Sequence, residues 1–265
     1  WNGGELDSFL IEITANILRF RDEDGKPLLD KILDVAGQKG TGKWSAIAAM
    51  DENDPLTLIT EAVYARLLSA LYPERIKAAS LYSGKLKVES GKLSDNAQLS
   101  IEDVRQALYA AKLISYAQGF SLLRHASEHY GWDLDYGTIA RIWRKGCIIR
   151  SVFLQKITEA YRKDPDLENL LFDDFFHTKI QEALPAWRRV VAEGALSGVA
   201  LPAMSSALNY FDGLRTLYSA ANMIQAQRDY FGAHTYERTD RERGHFFHTN
   251  WTGEGGNTVS GTYSV

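Results

Sequence analysis

The chain has 265 residues, of which 45% are hydrophobic and 24% are charged, and its formal net charge is −4. Lys and Arg are dispersed, which argues against nucleic acid as the main partner, and no apolar run is long enough to span a membrane. The single cysteine, Cys147, rules out an intrachain disulfide and favours a reducing compartment. We therefore expect a cytoplasmic globular protein, with an organellar form as an open alternative.

Apolar residues recur at helical spacing through the first third of the chain. Residues 9–20 repeat apolar side chains every three or four positions, which predicts an amphipathic helix with Asp7 as its N-cap. Residues 28–36 show the same spacing and predict a second helix before Gly37. Residues 58–71 predict a third helix, which ends near Pro73 because proline disfavours continuation of a helix.

The rest of the chain continues the helical pattern after a polar stretch. Residues 84–99 predict a surface loop. Ser100 with Asp103 resembles a capping pair for a helix over residues 104–126. Further helices are predicted over residues 136–147, 151–161, 167–191 and 205–227, the last as one or two helices, with Pro165 and Pro185 at boundaries or in first turns.

Alternating β patterns are nearly absent, so the predicted fold class is all-α. We expect one large multi-helix domain over residues 1–244. Residues 245–265 are rich in Gly, Thr and Ser and predict an extended tail. Such a tail is disordered alone unless another surface binds it.

The most unusual segment is GQKGTGKW at residues 37–44. It nearly fits the nucleotide P-loop, but Trp44 occupies the position of the magnesium-binding hydroxyl, and helical rather than strand periodicity precedes it. ATP binding is therefore disfavoured. The glycines still let backbone N–H groups approach a ligand, and Lys39 and Lys43 add positive charge. A phosphate is therefore the favoured ligand. The alternative is a glycine-rich turn with solvated lysines, and composition alone leaves both open.

Three further groups bear on ligand binding. Arg66 shares a helix side with apolar residues, which predicts a buried charge paired with an anionic ligand or a structural carboxylate. Arg228 and His234 flank a predicted helix end at Gly232, an arrangement that suits an anion but is weak alone. His245 and His248 lack a further ligand at metal-binding spacing, so we interpret them as solvated.

Several segments together resemble the decarboxylating, NADP-dependent 6-phosphogluconate dehydrogenases of the pentose phosphate pathway. Residues 32–44 resemble the signature of that family, and residues 224–236 resemble its C-terminal segment. The matching segments also include residues 1–13, 146–151 and 248–251. The resemblance covers essentially the whole chain.

The resemblance implies site residues and partners. Lys39, Thr41 and Arg66 are expected to bind the phosphate of the substrate, 6-phosphogluconate. Arg228 and His234 are expected to reach the substrate site of the neighbouring subunit in a homodimer whose tails thread through the partner. The last tail residues are expected near the phosphate of the cofactor NADP: Ser260, Gly261, Thr262 and Tyr263.

The resemblance also implies what this chain lacks. No G-x-G-x-x-G pattern follows a strand, so we expect the dinucleotide-binding domain to be missing. The family's catalytic lysine and glutamate and a phosphate-binding tyrosine are expected to precede Trp1, so the chain alone is expected to be inactive. No metal is implied. The alternative function is an isolated dimerisation module without ligand binding.

Overall fold

The computed structural model describes residues 1–37, 39–82, 99–144 and 146–253. Helices dominate this part of the chain, and its strands are one pair of two residues each, so the all-α prediction is confirmed. The chain divides into two compact units, Trp1–Phe211 and Asp212–Val265. The predicted division at residue 244 stays a prediction. Among the described residues, no helix is both long and apolar enough to cross a bilayer.

The first unit consists of helices with short 3₁₀ turns at Leu28–Lys31 and Leu170–Phe172. Its helices are α1 (Phe9–Arg19), α2 (Thr41–Asp51), α3 (Thr57–Ala70), α4 (Tyr72–Tyr82), α5 (Ile101–Tyr130), α6 (Tyr136–Ile142), α7 (Leu154–Lys163), α8 (Asp174–Ser197) and α9 (Pro202–Leu214), which extends past the unit boundary.

The core of the first unit lies between α5 and α8, which form its most extensive helix pair. Ala107 and Ala110 of α5 are fully buried, and their small side chains let the facing helix approach closely. Phe120 of α5 and Trp187 of α8 fill the core with large apolar side chains. Their burial removes apolar area from water, which is the main driving force for this packing.

Local chemistry explains where two helices begin. The predicted capping pair is confirmed as a full capping box, in which Ser100 and Asp103 exchange side-chain and backbone hydrogen bonds. The predicted Asp7 cap of α1 is wrong, because the hydroxyl of Ser8 accepts from the amide of Ile11 at 3.5 Å. Ser8 also forms a bridge to Ser151, which gives it the extended backbone that an N-cap needs.

Other predicted helices shift or fail for physical reasons. The predicted helix over residues 28–36 is wrong, since only a 3₁₀ turn forms there, and α2 and α4 were not predicted. The sequence of α2 carries little apolar periodicity because Ala49 is its one buried residue. Pro185 lies inside α8 rather than at a boundary. Of the predicted loop over residues 84–99, residues 84–98 lie outside the described residues.

The second unit contains α10 (Ala221–Gly232) and a small hairpin. The predicted helix end at Gly232 is confirmed, and residues 205–227 contribute to two helices, α9 and α10. Strand β1 (Tyr236–Glu237) pairs antiparallel with β2 (Phe246–Phe247), with Tyr236 opposite Phe247. The predicted extended tail is described only as far as residue 253.

Candidate functional site

The segment of residues 34–37, which precedes the glycine-rich turn, is held against α3 and α4. Arg75 donates to the main-chain carbonyl of Asp34 at 3.2 Å and also to the Asp34 carboxylate, whose pKa it lowers. The hydroxyl of Ser69 accepts from the amide of Ala36 at 3.0 Å. These bonds fix a segment that has no helix or strand of its own.

Arg66 joins the same segment at its last residue. Its guanidinium is exposed and donates to the main-chain carbonyl of Gly37. The prediction of a buried charge is therefore wrong. The buried residues of α3, Leu58 and Val63, lie in its first half, so the second half extends past the core and Arg66 contacts the loop instead.

The glycine-rich turn ends where α2 begins. Gly40 has a φ of 113°, a left-handed conformation that favours glycine, and Thr41 is the first helical residue. The first amides of a helix have no partner within it and carry its positive end. Lys39 and Thr41 are both exposed at this end. The arrangement can hold a phosphate, which binds readily at helix N-termini.

Gly42 serves packing rather than ligand approach. A Cβ atom at this position would lie 2.8 Å from Cγ2 of Val63 on α3. The glycine therefore lets α2 and α3 pack closely. In the described residues a 3₁₀ turn, not a strand, precedes the loop, so the structural context of a P-loop is lacking there.

In the second unit, Arg228 and His234 are linked through one glutamine. The guanidinium of Arg228 donates to the side-chain oxygen of Gln225 at 3.0 Å. The amide of Gln225 donates in turn to the carbonyls of His234 (3.2 Å) and Thr235 (2.7 Å). The ring of His234 lies over Gly232, where a Cβ would meet it at 2.7 Å. Both predicted residues are half-buried.

Asp229 of α10 is fully buried. Its carboxylate contacts Nδ1 of His248 at 2.9 Å and accepts from the amide of Thr249 at 3.0 Å and Nε1 of Trp251 at 2.9 Å. Burial raises the pKa of Asp229, but these hydrogen bonds outweigh burial and hold the pKa below its ordinary value. The prediction of a solvated His248 is therefore wrong, whereas His245 is exposed.

A cavity of about 410 Å³ opens on the first unit and is almost entirely apolar. Lys112 of α5 lines it, donates to the hydroxyl of Ser151 at 3.1 Å and lies over the ring of Phe153. Burial lowers the pKa of the Lys112 amine to about 8. None of the residues that line this cavity belongs to the loop of residues 34–44.

Comparison with known proteins identifies the family. The family model described as "6-phosphogluconate dehydrogenase, C-terminal domain" matches residues 1–251. The chain belongs to this family. Its 6-phosphogluconate dehydrogenase relatives include the decarboxylating enzymes of Rattus norvegicus, 56% identical over the whole chain, and Aggregatibacter actinomycetemcomitans, 54% identical. The chain spans about half the length of these relatives, 54% in each case.

A solved structure supports the same relationship. The chain is similar to a Plasmodium falciparum 6-phosphogluconate dehydrogenase with a TM-score of 0.88 and 44% identity, covering 95% of this chain and 53% of that one. That protein is described without ligand, with its cofactor NADP⁺ and with its substrate 6-phosphogluconate. The dehydrogenase family therefore accounts for both the sequence signature and the helical fold.

Sequence reasoning located the loop of this dehydrogenase domain but missed what holds it. Arg75 and Ser69 lie more than thirty residues along the chain from the segment they contact, so no local pattern marks them. Gln225 and Asp229 are four residues apart and thus share one face of α10, which is the one signal that could have indicated a joint role.

Two expectations for this domain stay predictions. The tail residues expected near the NADP phosphate lie outside the described residues: Ser260, Gly261, Thr262 and Tyr263. Among the residues that the structure describes, no group of three His, Cys, Asp or Glu side chains is placed to hold a metal ion. Independence from metal remains an expectation for the complete enzyme.

Proposed function

We propose that this chain is the C-terminal, substrate-binding and dimerisation part of an NADP-dependent 6-phosphogluconate dehydrogenase. Such an enzyme oxidatively decarboxylates 6-phosphogluconate to ribulose 5-phosphate and carbon dioxide. Family membership supports the proposal for the chain as a whole. The contact of Arg66 with Gly37 supports it for the site, because it brings a guanidinium within two residues of Lys39.

Lys39, Thr41 and Arg66 bind the substrate phosphate in this proposal. Lys39 contributes a compact positive charge, and Thr41 contributes its hydroxyl at the positive end of α2. Arg66 has five N–H donors in a planar fork. The Gly37 carbonyl engages its Nη2 atom, so donors remain for a phosphate. Such charge-assisted bonds are among the strongest hydrogen bonds in proteins.

The rest of the reaction is assigned to the other half of the complete enzyme. NADP bound there would supply the hydride acceptor for oxidation at C3 of the substrate, and loss of carbon dioxide and protonation of the enol would complete the reaction. The proton-transferring lysine and glutamate are proposed to lie in that half. This chain holds the phosphate, a non-reacting group whose binding energy orients the reacting carbons. Alone, the chain is expected to be inactive.

The proposal includes a homodimer in which Arg228 and His234 reach the substrate of the neighbouring subunit. The part of the predicted tail that follows residue 251, beyond the contacts with α10, threads through the partner, and residues 260–263 lie near the NADP phosphate. Exposed apolar side chains in the second unit support a partner surface, since Leu217 and Tyr218 are 85% and 80% exposed. The free cysteine, Cys147, supports a cytoplasmic site of action.

Calorimetric titration of this chain with 6-phosphogluconate tests the phosphate site. Lys39→Ala is expected to weaken binding at least about tenfold, since a lost charge-assisted bond is worth about 1.5 kcal/mol or more. Lys43→Ala is the matched control, because Lys43 lies in the same loop but outside the proposed contacts, and it is expected to change affinity less than about threefold. Gluconate, which lacks the phosphate, is expected to bind weakly. Equal effects of the two substitutions would refute the assignment.

The alternative function is a dimerisation module without ligand affinity. Sedimentation of a stable dimer, together with the absence of heat on titration with 6-phosphogluconate, would favour that alternative. Heat with magnesium-ATP would instead support a P-loop nucleotide binder, which we do not expect. In the complete enzyme, Arg228→Ala is expected to raise KM for 6-phosphogluconate at least about tenfold, and unchanged KM and kcat would contradict the shared site.

A further inference from the structure

The second unit contains a buried carboxylate that the proposed site does not use. Asp229 follows directly after Arg228 in α10, yet its side chain is turned inward and is 0% exposed. Removing an ionised carboxylate from water is costly unless donors compensate it. Three hydrogen-bonding groups compensate the Asp229 carboxylate, and all three belong to residues 19 to 22 positions further along the chain.

These three contacts anchor the residues that directly follow the second strand of the hairpin. Oδ1 of Asp229 contacts the ring of His248, and Oδ2 accepts from the Thr249 amide and the Trp251 indole. The hydroxyl of Tyr236 in β1 also bonds to the side chain of Thr249. Because β1 and β2 pair over only two residues each, the strand pairing alone is too short to be stable in water. The anchor to α10 therefore supplies order that the hairpin lacks.

A second anchor fixes the start of the hairpin on the same helix face. Gln225 lies one helical turn before Asp229 and donates to the carbonyls of His234 and Thr235. The same glutamine accepts from the Arg228 guanidinium at 3.0 Å. Residues four apart in a helix share a face, so the two side chains hold both ends of the hairpin on α10. The Gln225 anchor links His234 directly to Arg228.

We infer that Asp229 is a positioning residue, which holds residues 248–251 on α10 and thereby keeps Arg228 and His234 in the arrangement that binds the substrate anion. The inference rests on the proposed function of Arg228 and His234. Asp229 contacts no ligand in this role. Its part is to prevent the hairpin from leaving the helix, since a loosened hairpin carries His234 away from Arg228.

The chemistry of the three donors distinguishes two substitutions. In Asp229→Asn, the amide oxygen can still accept from Thr249 and Trp251, while the amide nitrogen can donate to Nδ1 of a neutral His248. The anchor therefore survives in the asparagine variant. In Asp229→Ala, all three donors lose this acceptor, including the partly buried Thr249 amide.

The experiment compares these variants in the complete enzyme. Asp229→Ala is expected to raise KM for 6-phosphogluconate at least tenfold with less than a threefold change in kcat, and Asp229→Asn is expected to stay within threefold in both. Hydrogen exchange at the Thr249 amide and the Trp251 indole is expected to be fast in the alanine variant and protected in the asparagine variant. Trp251→Phe removes one donor only, so it reports on the anchor if the alanine variant does not fold, with an expected rise in KM of twofold to fivefold.

Each outcome decides between the inference and the proposed function. If Arg228→Ala raises KM while Asp229→Ala and Trp251→Phe leave it unchanged, the positioning role is overturned and the proposed site stands. If Arg228→Ala also leaves KM unchanged, the proposed site itself fails. Protection of the Thr249 amide that persists in Asp229→Ala would overturn the anchor directly, whatever the kinetics.

Discussion

Substitution of Gly42 tests whether α2, the helix that follows the glycine-rich turn, packs closely on α3. Replacement by alanine places a Cβ 2.8 Å from Cγ2 of Val63, closer than real Cβ contacts occur. Overpacking of this kind costs about 1–3 kcal/mol, while alanine in a helix gains about 0.5–1 kcal/mol over glycine. We therefore expect Gly42→Ala to lower the free energy of unfolding by about 1–2 kcal/mol.

The effect of Gly42→Ala on stability is expected to change sign when Val63 is made smaller. Val63→Ala alone removes two buried methyl groups and costs about 1–2 kcal/mol. In that background the added methyl of Gly42→Ala meets no side chain, so the substitution is expected to stabilise by up to about 1 kcal/mol. The coupling between the two positions is then about 2 kcal/mol, within the range measured for residues in contact.

Urea denaturation of this chain measures all four species by far-ultraviolet circular dichroism and by tryptophan fluorescence. Coincident transitions by the two probes ensure that one unfolding step is compared. Gly119→Ala is the matched control, because Gly119 lies inside α5 and a Cβ there meets nothing within 4 Å. It is expected to stabilise by about 0.5–1 kcal/mol. If Gly42→Ala behaved like Gly119→Ala, or if the coupling were zero, close packing of α2 on α3 would be refuted.

Three further outcomes are expected. The pKa of Lys112, lowered from 10.5 to about 8, corresponds to about 3 kcal/mol. Because Lys112 is partly exposed, we discount this value and expect Lys112→Met to raise the free energy of unfolding by about 1–2 kcal/mol below pH 8. This gain is expected to shrink as the pH rises towards 10.5. A gain that does not change with pH would show that burial of the charged amine is not its cause. Ser100→Ala is expected to lower the free energy of unfolding, measured by urea denaturation, by about 0.5–2 kcal/mol. Ser100 and Arg189 lower the pKa of Asp103 to about 2, so the stability that ionised Asp103 contributes to the fold is lost as the pH falls towards 2. This loss of stability in acid is expected to be smaller in Ser100→Ala. Arg75→Met is expected to speed hydrogen exchange at the Ala36 amide without a measurable change in the free energy of unfolding, because its ion pair with Asp34 is exposed. Unchanged exchange would show that Arg75 does not hold the segment.

Sequence patterns predict the all-α class of the fold, and they single out residues 37–44 as an unusual loop. Helical spacing of apolar residues predicts amphipathic helices, and α1, α3 and α5 form where this spacing predicts them. The capping pair of Ser100 and Asp103 was readable because both partners lie within one helical turn. The segment of residues 37–44 stood out because its glycines and lysines are unusual in any context.

The packed structure decides where a helix forms without an apolar stripe and how the sites are supported. In α2 the residues that face inward are small, since Ala49 is buried and Gly42 packs against Val63, whereas large apolar side chains such as Trp44 and Met50 are exposed. Its sequence therefore shows no apolar periodicity. Apolar spacing predicts that Arg66 is buried, but the buried residues of α3 end at Val63, so only the extent of the core shows that residue 66 is exposed. The contacts of Arg75 with Asp34 and of Asp229 with Trp251 join residues 41 and 22 positions apart. Local patterns cannot specify such pairs, because burial and distance between remote residues are set only when the whole chain has packed.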